Sequence, residues 1–223
     1  MKEYFPLMLQ SSLFSGMEQG ELAAMLQCLG ARIRQVSKSE PIFLEGDPAG
    51  TMGMVLEGGV QVARDDFYGN RSLLAHAAPG ELFAETFACA GIQSMPVSAY
   101  AVKDSKVMLL DCRKMLTVCS NSCHFHNRLV RNLLQVVADK NLALSSKIRV
   151  MSRKTTKEKL MAYLLDQAKL QKSRSFTIAL DRQALADYLG VERSAMSAEL
   201  SKLRKEGVLE YKGSHFTLCA EDL

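Results

Sequence analysis

The sequence predicts an α+β protein with an N-terminal double-stranded β-helix, or jelly-roll barrel, a long central helix and a C-terminal winged helix-turn-helix domain. Three observations support this order. Short apolar runs alternate with glycine-containing turns in the first half, a helical apolar pattern without Pro or Gly follows, and two short helices joined at Gly190 precede a hairpin pattern. We expect the three parts to span residues 1–120, 121–151 and 152–223.

The N-terminal part is expected to begin with one helix and to continue as strands. Apolar residues recur at helical spacing within residues 12–29, which predicts a short amphipathic helix. Runs such as GMVL, VQVA and KVMLLD then alternate with turns, a rhythm typical of a small antiparallel barrel or jelly roll. These turns follow one another at intervals of 12, 11 and 11 residues, at Gly46, Gly58, Gly69 and Gly80.

The central helix carries two apolar stripes. One alternates steps of four and three residues and has Asn141 as its polar member, which is the pattern of a coiled-coil seam. We expect this seam to pair with a second copy of the chain in a parallel homodimer, while the stripe of Leu129, Leu133 and Val136 covers the barrel. The alternative is a helix buried within one subunit. The seam consists of Val130, Leu134, Val137, Asn141, Leu144 and Ile148.

The C-terminal domain is expected to begin after a polar hinge at residues 151–156. Thr155 and Glu158 fit a capping box at the start of the next helix. SFTIAL then alternates as a short strand, and Asp181 fits the N-cap of the first helix of the helix-turn-helix. After the second helix, VLEY, KGS and HFTL predict a hairpin, which forms a wing.

The second helix of this motif has an apolar face and an unusually small, basic opposite face. Met196, Leu200 and Leu203 face inward, and a rotation of about 100° per residue groups Ser and Ala with basic residues on the other side. Small side chains let a helix enter a DNA major groove about 12 Å wide, while basic residues contact phosphates. The alternative is a plain packing unit with a solvated face. The candidate DNA-binding residues are Arg182, Gln183, Arg193, Ser194, Ser197, Ala198, Ser201, Lys202, Arg204 and Lys205.

The charge distribution favours a polyanionic partner. The net charge is +4, but residues 147–223 hold 15 Lys+Arg against 10 Asp+Glu, whereas residues 1–146 hold 13 against 14. The chain has no run of 18 uncharged apolar residues and no signal-peptide pattern, so we expect a cytoplasmic protein without a membrane partner. The six cysteines show no paired framework and are expected to be free thiols.

Several stretches of this chain resemble signatures of the Crp/Fnr family of bacterial transcription regulators. FLEGDPAGTMGMVLEGGVQV and PGELFAE resemble the glycine pattern of the family's sensor domain, and DRQALADYLGVERSAMSAELSKLRKEG resembles its C-terminal signature. The resemblance covers nearly all 223 residues and implies a homodimer that binds a palindromic DNA site, responds to a small effector and contacts RNA polymerase. It places Arg193 at the family's recognition-helix Arg, Ser194 where many relatives carry a base-reading Glu, and Ala198 where many carry Arg. These departures imply a different operator sequence.

The resemblance also indicates where an effector would bind. In relatives that bind cyclic nucleotides, a Gly-Glu pair is followed about ten residues later by Arg-Ser or Arg-Thr, because a buried phosphate needs a cationic partner. Here Ala84 replaces the Gly, Met95 and Pro96 replace the Arg-Ser pair, and no Lys or Arg occurs between Arg71 and Lys103. We therefore expect a less charged small molecule, and not cyclic AMP; the alternative is that no effector binds there. The candidate effector pocket consists of Phe83, Ala84, Glu85, Thr86, Met95, Pro96, Val97 and Ser98.

Two other classes of function would need different residues of this chain. Cys119, Cys123 and His124 could form a metal- or thiol-redox sensor at the start of the central helix. The usual zinc spacing and the N-terminal cysteine cluster of the family's iron-sulfur sensors are absent, so a bound metal is not expected. A cupin-like metal enzyme needs several His inside the barrel, and only His76 falls in that region. Catalysis is therefore not expected.

Overall fold

The structure is a computed structural model that describes residues 1–65, 71–117 and 124–219. It contains two compact units, residues 1–139 and 140–223. The predicted order of jelly roll, long helix and winged helix-turn-helix is confirmed. Within the described ranges, no helix combines the length and the apolar composition that a membrane crossing requires.

The N-terminal unit begins with short helices. They are a 3-10 turn at Lys2–Tyr4, α1 at Phe5–Gln10 and α2 at Gln19–Cys28. The single helix expected over residues 12–29 is therefore too long at its start. Gly16 has a left-handed φ of +75°, which interrupts helical geometry, and Glu18 then starts α2 through a capping box with Glu21.

Eight strands follow among the described residues of this unit and form two antiparallel sheets. Their orders are β1-β8-β3-β6 and β2-β7-β4-β5, and the short helices α3 and α4 lie between or after strands. Among the described residues the two sheets are not hydrogen-bonded into a closed barrel, so the expected barrel is an open two-sheet jelly roll. The bounds are β1 Arg32–Val36, β2 Pro41–Phe43, β3 Thr51–Glu57, β4 Val60–Asp65, β5 Arg71–Ala77, β6 Leu82–Phe83, α3 Glu85–Cys89, β7 Ser98–Ala101, β8 Ser105–Asp111 and α4 Cys112–Leu116.

Strand β3 belongs to both apolar cores of this unit. Met52 and Met54 lie in a core shared with α1, α2 and the central helix, whereas Val55 lies in a second core built from residues of both sheets. This alternation follows from the two-residue period of a strand. A Cβ atom at Gly53 would lie 2.0 Å from Cζ of Phe83, so only glycine lets this ring pack against the strand.

The central helix, α5, spans His124–Met151, and the expected residues 121–123 lie outside the described part of the chain. Leu129 and Leu133 are buried in the N-terminal core, as expected for the stripe that covers the jelly roll. Val150 is buried in the core of the C-terminal unit. One helix therefore contributes to the packing of both units.

The C-terminal unit is a winged helix-turn-helix built on a three-stranded sheet of order β10-β11-β9. Thr155 caps its first helix by accepting from the N–H of Glu158 at 3.2 Å, and Asp181 caps the second by accepting from the N–H of Ala184 at 2.8 Å. Gly190, at a φ of +61°, ends that second helix and permits the turn. The bounds are α6 Thr156–Leu170, β9 Ser175–Thr177, α7 Arg182–Leu189, α8 Arg193–Lys205, β10 Leu209–Lys212 and β11 His215–Leu218.

The polar segment 151–156, expected to be a hinge, leads from the last residue of α5 to the first residue of α6 and is exposed to solvent over residues 151–155. Its role as a hinge stays a prediction. Arg149 forms an ion pair with Asp166, and Nζ of Lys147 lies 5.5 Å from the ring centroid of Tyr188. These contacts hold the last turns of α5 against α6 and α7. The polar sequence of the segment reflects its exposure to solvent. Ordered and flexible turns are both exposed in this way.

Candidate nucleic-acid interface and effector site

Helix α8 has one buried face and one exposed face, as its sequence period predicts. Met196, Leu200 and Leu203 are almost completely buried in the core of the C-terminal unit. The exposed side chains on the remaining surface are short at its centre and basic at its edges. They are Arg193, Ser194, Ala195, Ser197, Ala198, Ser201, Lys202, Arg204 and Lys205.

Two serine hydroxyls on this exposed face already use their protons within the helix. Oγ of Ser197 donates to the carbonyl oxygen of Arg193 at 2.9 Å, and Oγ of Ser201 donates to the carbonyl oxygen of Ser197 at 3.0 Å. A hydroxyl has one proton and two lone pairs, so both groups remain acceptors toward solvent. The centre of the face therefore offers hydrogen-bond acceptors to a partner.

The basic residues of the face differ in their partners. Arg193, Lys202 and Lys205 are exposed and form no ion pair with any described residue. Arg204 instead lies 2.7 Å from the carboxylate of Glu210 and 5.6 Å from the ring centroid of Tyr211, both on β10 of the wing. The positive charge of Arg204 is thus partly neutralised, whereas Lys202, whose charge contributes to lowering the pKa of Glu206, forms no ion pair with a described residue.

Arg182, at the start of α7, also contacts the wing. Its guanidinium donates to the carbonyl oxygen of Gly213 at 2.9 Å and lies 4.9 Å and 5.0 Å from the ring centroids of Tyr211 and Phe216. Partial burial lowers the pKa of Arg182, although an arginine stays charged in a protein. Arg182 therefore helps to position the wing, and the DNA contact expected of it stays a prediction.

The neighbouring candidate, Gln183, is exposed, and its amide donates to Asp187 at 2.9 Å. Lys212, exposed at the tip of the wing, is missing from the residues proposed from the sequence. The lysine in the KGS turn could have indicated it, because wing tips carry basic residues toward a phosphate backbone.

The candidate effector residues divide into an apolar group and a group that includes the polar side chains. Phe83, Ala84, Met95 and Val97 share the core formed by both sheets, together with Phe43, whose ring centroid is 5.9 Å from that of Phe83. The residues of this group have no charge and no polar side-chain atom. A molecule that contacts these side chains would therefore make apolar contacts.

The second group of candidate effector residues carries the polar groups. Glu85 is 3% exposed, and its carboxylate accepts from the hydroxyl of Thr86 at 3.2 Å. Ser98 accepts from the N–H of Glu45 at 3.0 Å, and Pro96 is half-buried. The only charge among the eight candidate residues is therefore an acid, which repels a phosphate.

Ala84 has a left-handed backbone, with a φ of +61°. The family pattern has glycine at this position, and the structure supplies the physical reason, because glycine alone adopts this conformation without strain. Ala84 starts α3 directly before Glu85. Ala84 thus adopts at this position a conformation that favours glycine.

The seam predicted on α5 is largely exposed in the single chain. The exposed fractions of Leu134, Leu144 and Ile148 are 69%, 57% and 59%. Asn141 is also exposed, whereas Val130 and Val137 are half-buried. Exposed leucine and isoleucine at this spacing form an apolar surface along the helix.

The metal- or thiol-redox alternative falls on residues of which little is described. Cys119 and Cys123 lie outside the described residues, and the side chain of His124 is likewise not described. Across residues 1–65, 71–117 and 124–219, no group of three or more His, Cys, Asp or Glu side chains is arranged to hold a metal ion.

Comparison with known proteins assigns both units. A model of the cyclic nucleotide-binding domain matches residues 33–122, and a model of the Crp-like helix-turn-helix domain matches residues 158–222. The chain belongs to the Crp/Fnr family of transcription regulators. This Crp/Fnr regulator thus combines a cyclic nucleotide-binding type of domain with the family's DNA-binding domain.

Relatives of this Crp/Fnr regulator are bacterial transcription factors. Transcriptional activator protein FnrL of Cereibacter sphaeroides is 23% identical over 210 residues, which are 90% of this chain and 81% of that protein. Transcriptional activator protein anr of Pseudomonas aeruginosa is 21% identical over 187 residues, which are 82% of this chain and 74% of that protein.

Solved structures share the fold of this Crp/Fnr regulator. FixK2 from Bradyrhizobium japonicum superposes with a TM-score of 0.51 at 23% identity and covers 85% of this chain and 93% of its own. The c-di-GMP responsive global regulator CLP of Xanthomonas campestris has a TM-score of 0.58 at 18% identity and covers 91% of this chain and 100% of its own.

Proposed function

We propose that this Crp/Fnr regulator is a homodimer that binds a palindromic DNA site with two copies of α8. The observation that carries the proposal is the exposed face of α8, which has acceptor hydroxyls at its centre and unpaired Lys202 and Lys205 at its edge. A buried face of Met196, Leu200 and Leu203 holds this surface outward. Phosphate contacts from the lysines would set affinity, and contacts from the serines would set sequence preference.

Dimerisation through α5 is supported by the exposed seam. Burial of Leu134, Leu144 and Ile148 against a second copy would contribute roughly 1–2 kcal/mol for each side chain, given their exposed fractions. Asn141 lies between them in the pattern, where a polar residue at a seam position specifies register. A parallel pair would carry two recognition helices for half-sites about one helical turn of DNA apart.

The hydrogen bonds that the serine hydroxyls donate within α8 support a specific base preference. Since Ser197 and Ser201 donate within α8, their outward lone pairs favour base edges that donate hydrogen bonds. In the major groove, these donors are the amino groups of adenine and cytosine. The preferred half-site should therefore present adenine or cytosine amino groups to this helix, and it should differ from sites read by Glu and Arg.

The effector, in this proposal, is a small molecule of low charge. The apolar group of Phe83, Met95 and Val97, with buried Glu85 beside it, supports an uncharged or cationic ligand rather than a cyclic phosphate. A ligand controls DNA binding only if its affinity differs between two arrangements of the dimer. The regulator would act in the cytoplasm, contact RNA polymerase and have no catalytic activity of its own.

The direct test is selection of DNA from a random library with the full chain, followed by gel-shift titration of the enriched sequence. We expect an inverted repeat whose half-site centres are about 10 base pairs apart. Sedimentation equilibrium of the same protein should give a dimer. Enrichment of no sequence, or a monomer that binds one half-site as tightly as the repeat, would contradict the proposal.

A further inference from the structure

Two cysteines of the N-terminal unit lie side by side although they are 23 positions apart in the sequence. The Sγ atoms of Cys89 and Cys112 are 3.2 Å apart, and both residues are free thiols. A disulfide needs a sulfur-sulfur distance of about 2.05 Å, so the two atoms are roughly 1 Å beyond bonding distance. No other contact between two thiols occurs among the described residues.

The two thiols differ in their access to solvent. Cys89 ends α3 and is half-buried, whereas Cys112 begins α4 and is completely buried. An oxidant from solvent can therefore reach Cys89 first, and Cys112 is placed to react with the product. Helices α3 and α4 have five residues each, so a small shift of either short helix can close the remaining gap.

The pKa values of the two thiols also differ, and the more accessible thiol has the lower pKa. The hydrogen bond with Cys112 lowers the pKa of Cys89, against opposing effects of partial burial and of the Glu85 charge. The same hydrogen bond, together with burial, raises the pKa of Cys112. A thiolate is the nucleophile in such chemistry, which makes Cys89 the attacking group.

We propose that Cys89 and Cys112 are an oxidant-sensing pair that hydroperoxides convert to a disulfide. The Cys89 thiolate attacks one oxygen of hydrogen peroxide, the O–O bond breaks, and Cys89 sulfenic acid and hydroxide form. The sulfur of Cys112 then attacks the sulfenic sulfur while its proton passes to the leaving hydroxyl, so the S–O bond breaks, an S–S bond forms and water leaves. Two thiols lose two electrons and two protons in total, and the peroxide is reduced to two waters. A dithiol reductant converts the disulfide back to two thiols.

The position of the pair connects this oxidation to the regulatory elements of the unit. Cys89 lies at the end of the helix that begins with Glu85 and Thr86 of the effector site. Cys112 starts α4, whose Met115 carbonyl accepts from Nε2 of the buried His126 on α5 at 2.7 Å. A disulfide fixes α3 to α4 and favours one arrangement of α3, α4 and the start of α5. Its effect on DNA affinity rests on the proposed function.

The first test is chemical and needs no DNA. The full chain, purified under reducing anaerobic conditions, is treated with hydrogen peroxide, alkylated and digested without reductant for mass spectrometry. We expect a peptide that links Cys89 to Cys112, that dithiothreitol removes and that C89S lacks. C28S and C219S, which replace exposed cysteines, are the matched controls and should form the link as the wild type does. Overoxidation of Cys89 alone, or a link from either cysteine to Cys119 or Cys123 instead, would overturn the assignment.

The second test measures regulation. Operator affinity of the oxidised wild type should differ from that of the reduced form by at least about five-fold, the lower end of usual allosteric couplings, and C89S should show no difference. An unchanged affinity in a protein with a verified disulfide would refute the regulatory role. Failure of the reduced protein to select any DNA would refute the proposed function and leave the disulfide result standing.

Discussion

Loss of the Lys202 charge should change the salt dependence of DNA binding in a calculable way. Lys202 is exposed on the edge of α8 and has no ion-pair partner among the described residues, so we assign it one phosphate contact in each subunit. Each phosphate contact contributes about 0.9 to the slope of log affinity against log salt, so K202Q should reduce the slope of a dimer by about 1.8. Between about 50 and 200 mM salt, the wild type should then lose roughly 12-fold more affinity than K202Q does.

The control for this prediction removes charges that the structure places in a pair. In R204Q/E210Q, the guanidinium and the carboxylate that lie 2.7 Å apart are both neutralised, and the net charge stays the same. Its slope should remain close to that of the wild type. Fluorescence anisotropy of a labelled operator over the same salt range measures both variants. Equal slopes for K202Q and the wild type would refute the phosphate contact, and an equal loss in both variants would refute the distinction between unpaired and paired cations.

Three further predictions test other parts of the molecule. S197A removes a hydrogen-bond acceptor without changing the charge, so library selection should show relaxed preference at one base pair of each half-site. A good contact of this kind discriminates between bases by about 1–3 kcal/mol. An unchanged preference would place the base-reading face elsewhere. L144E introduces a charge into the exposed seam of α5 and should shift the sedimentation equilibrium toward monomer. L170E, at a leucine outside the seam that is 76% exposed, should not. A84G should raise the free energy of unfolding by about 0.5–1 kcal/mol, because relief of the left-handed strain exceeds the cost of the entropy that glycine adds to the unfolded chain. A denaturant titration that shows a loss of stability would contradict this.

Elements with a clear local period were predictable from the sequence. The seam and stripe of α5, the inward face of α8, and the caps at Thr155 and Asp181 each depend on residues within a few positions of one another. The helix expected over residues 12–29 was less accurate, because apolar spacing continues through Gly16 while its backbone does not remain helical. Helix α1 has only six residues, which is too short for a period to be recognised.

The roles of individual charges were not predictable in the same way. Arg182 and Arg204 have the charge expected of DNA-binding residues, yet both contact residues of the wing, which lie farther along the chain. Lys202 has the same charge and remains unpaired among the described residues. The difference depends on which distant groups come within about 3 Å, and ion-pair and hydrogen-bond energies fall steeply beyond that distance.

The sequence by itself determined the order of the elements, the faces of the long and recognition helices, and the absence of a cation from the stretch that would hold a cyclic phosphate. These properties are local, because helix and strand periods and side-chain charge follow from neighbouring residues. Only the tertiary structure decided which cations of α7 and α8 contact the wing and that Cys89 meets Cys112. Both outcomes require segments remote in sequence to pack against each other, and atomic distances of this kind are set by the packing of the whole unit.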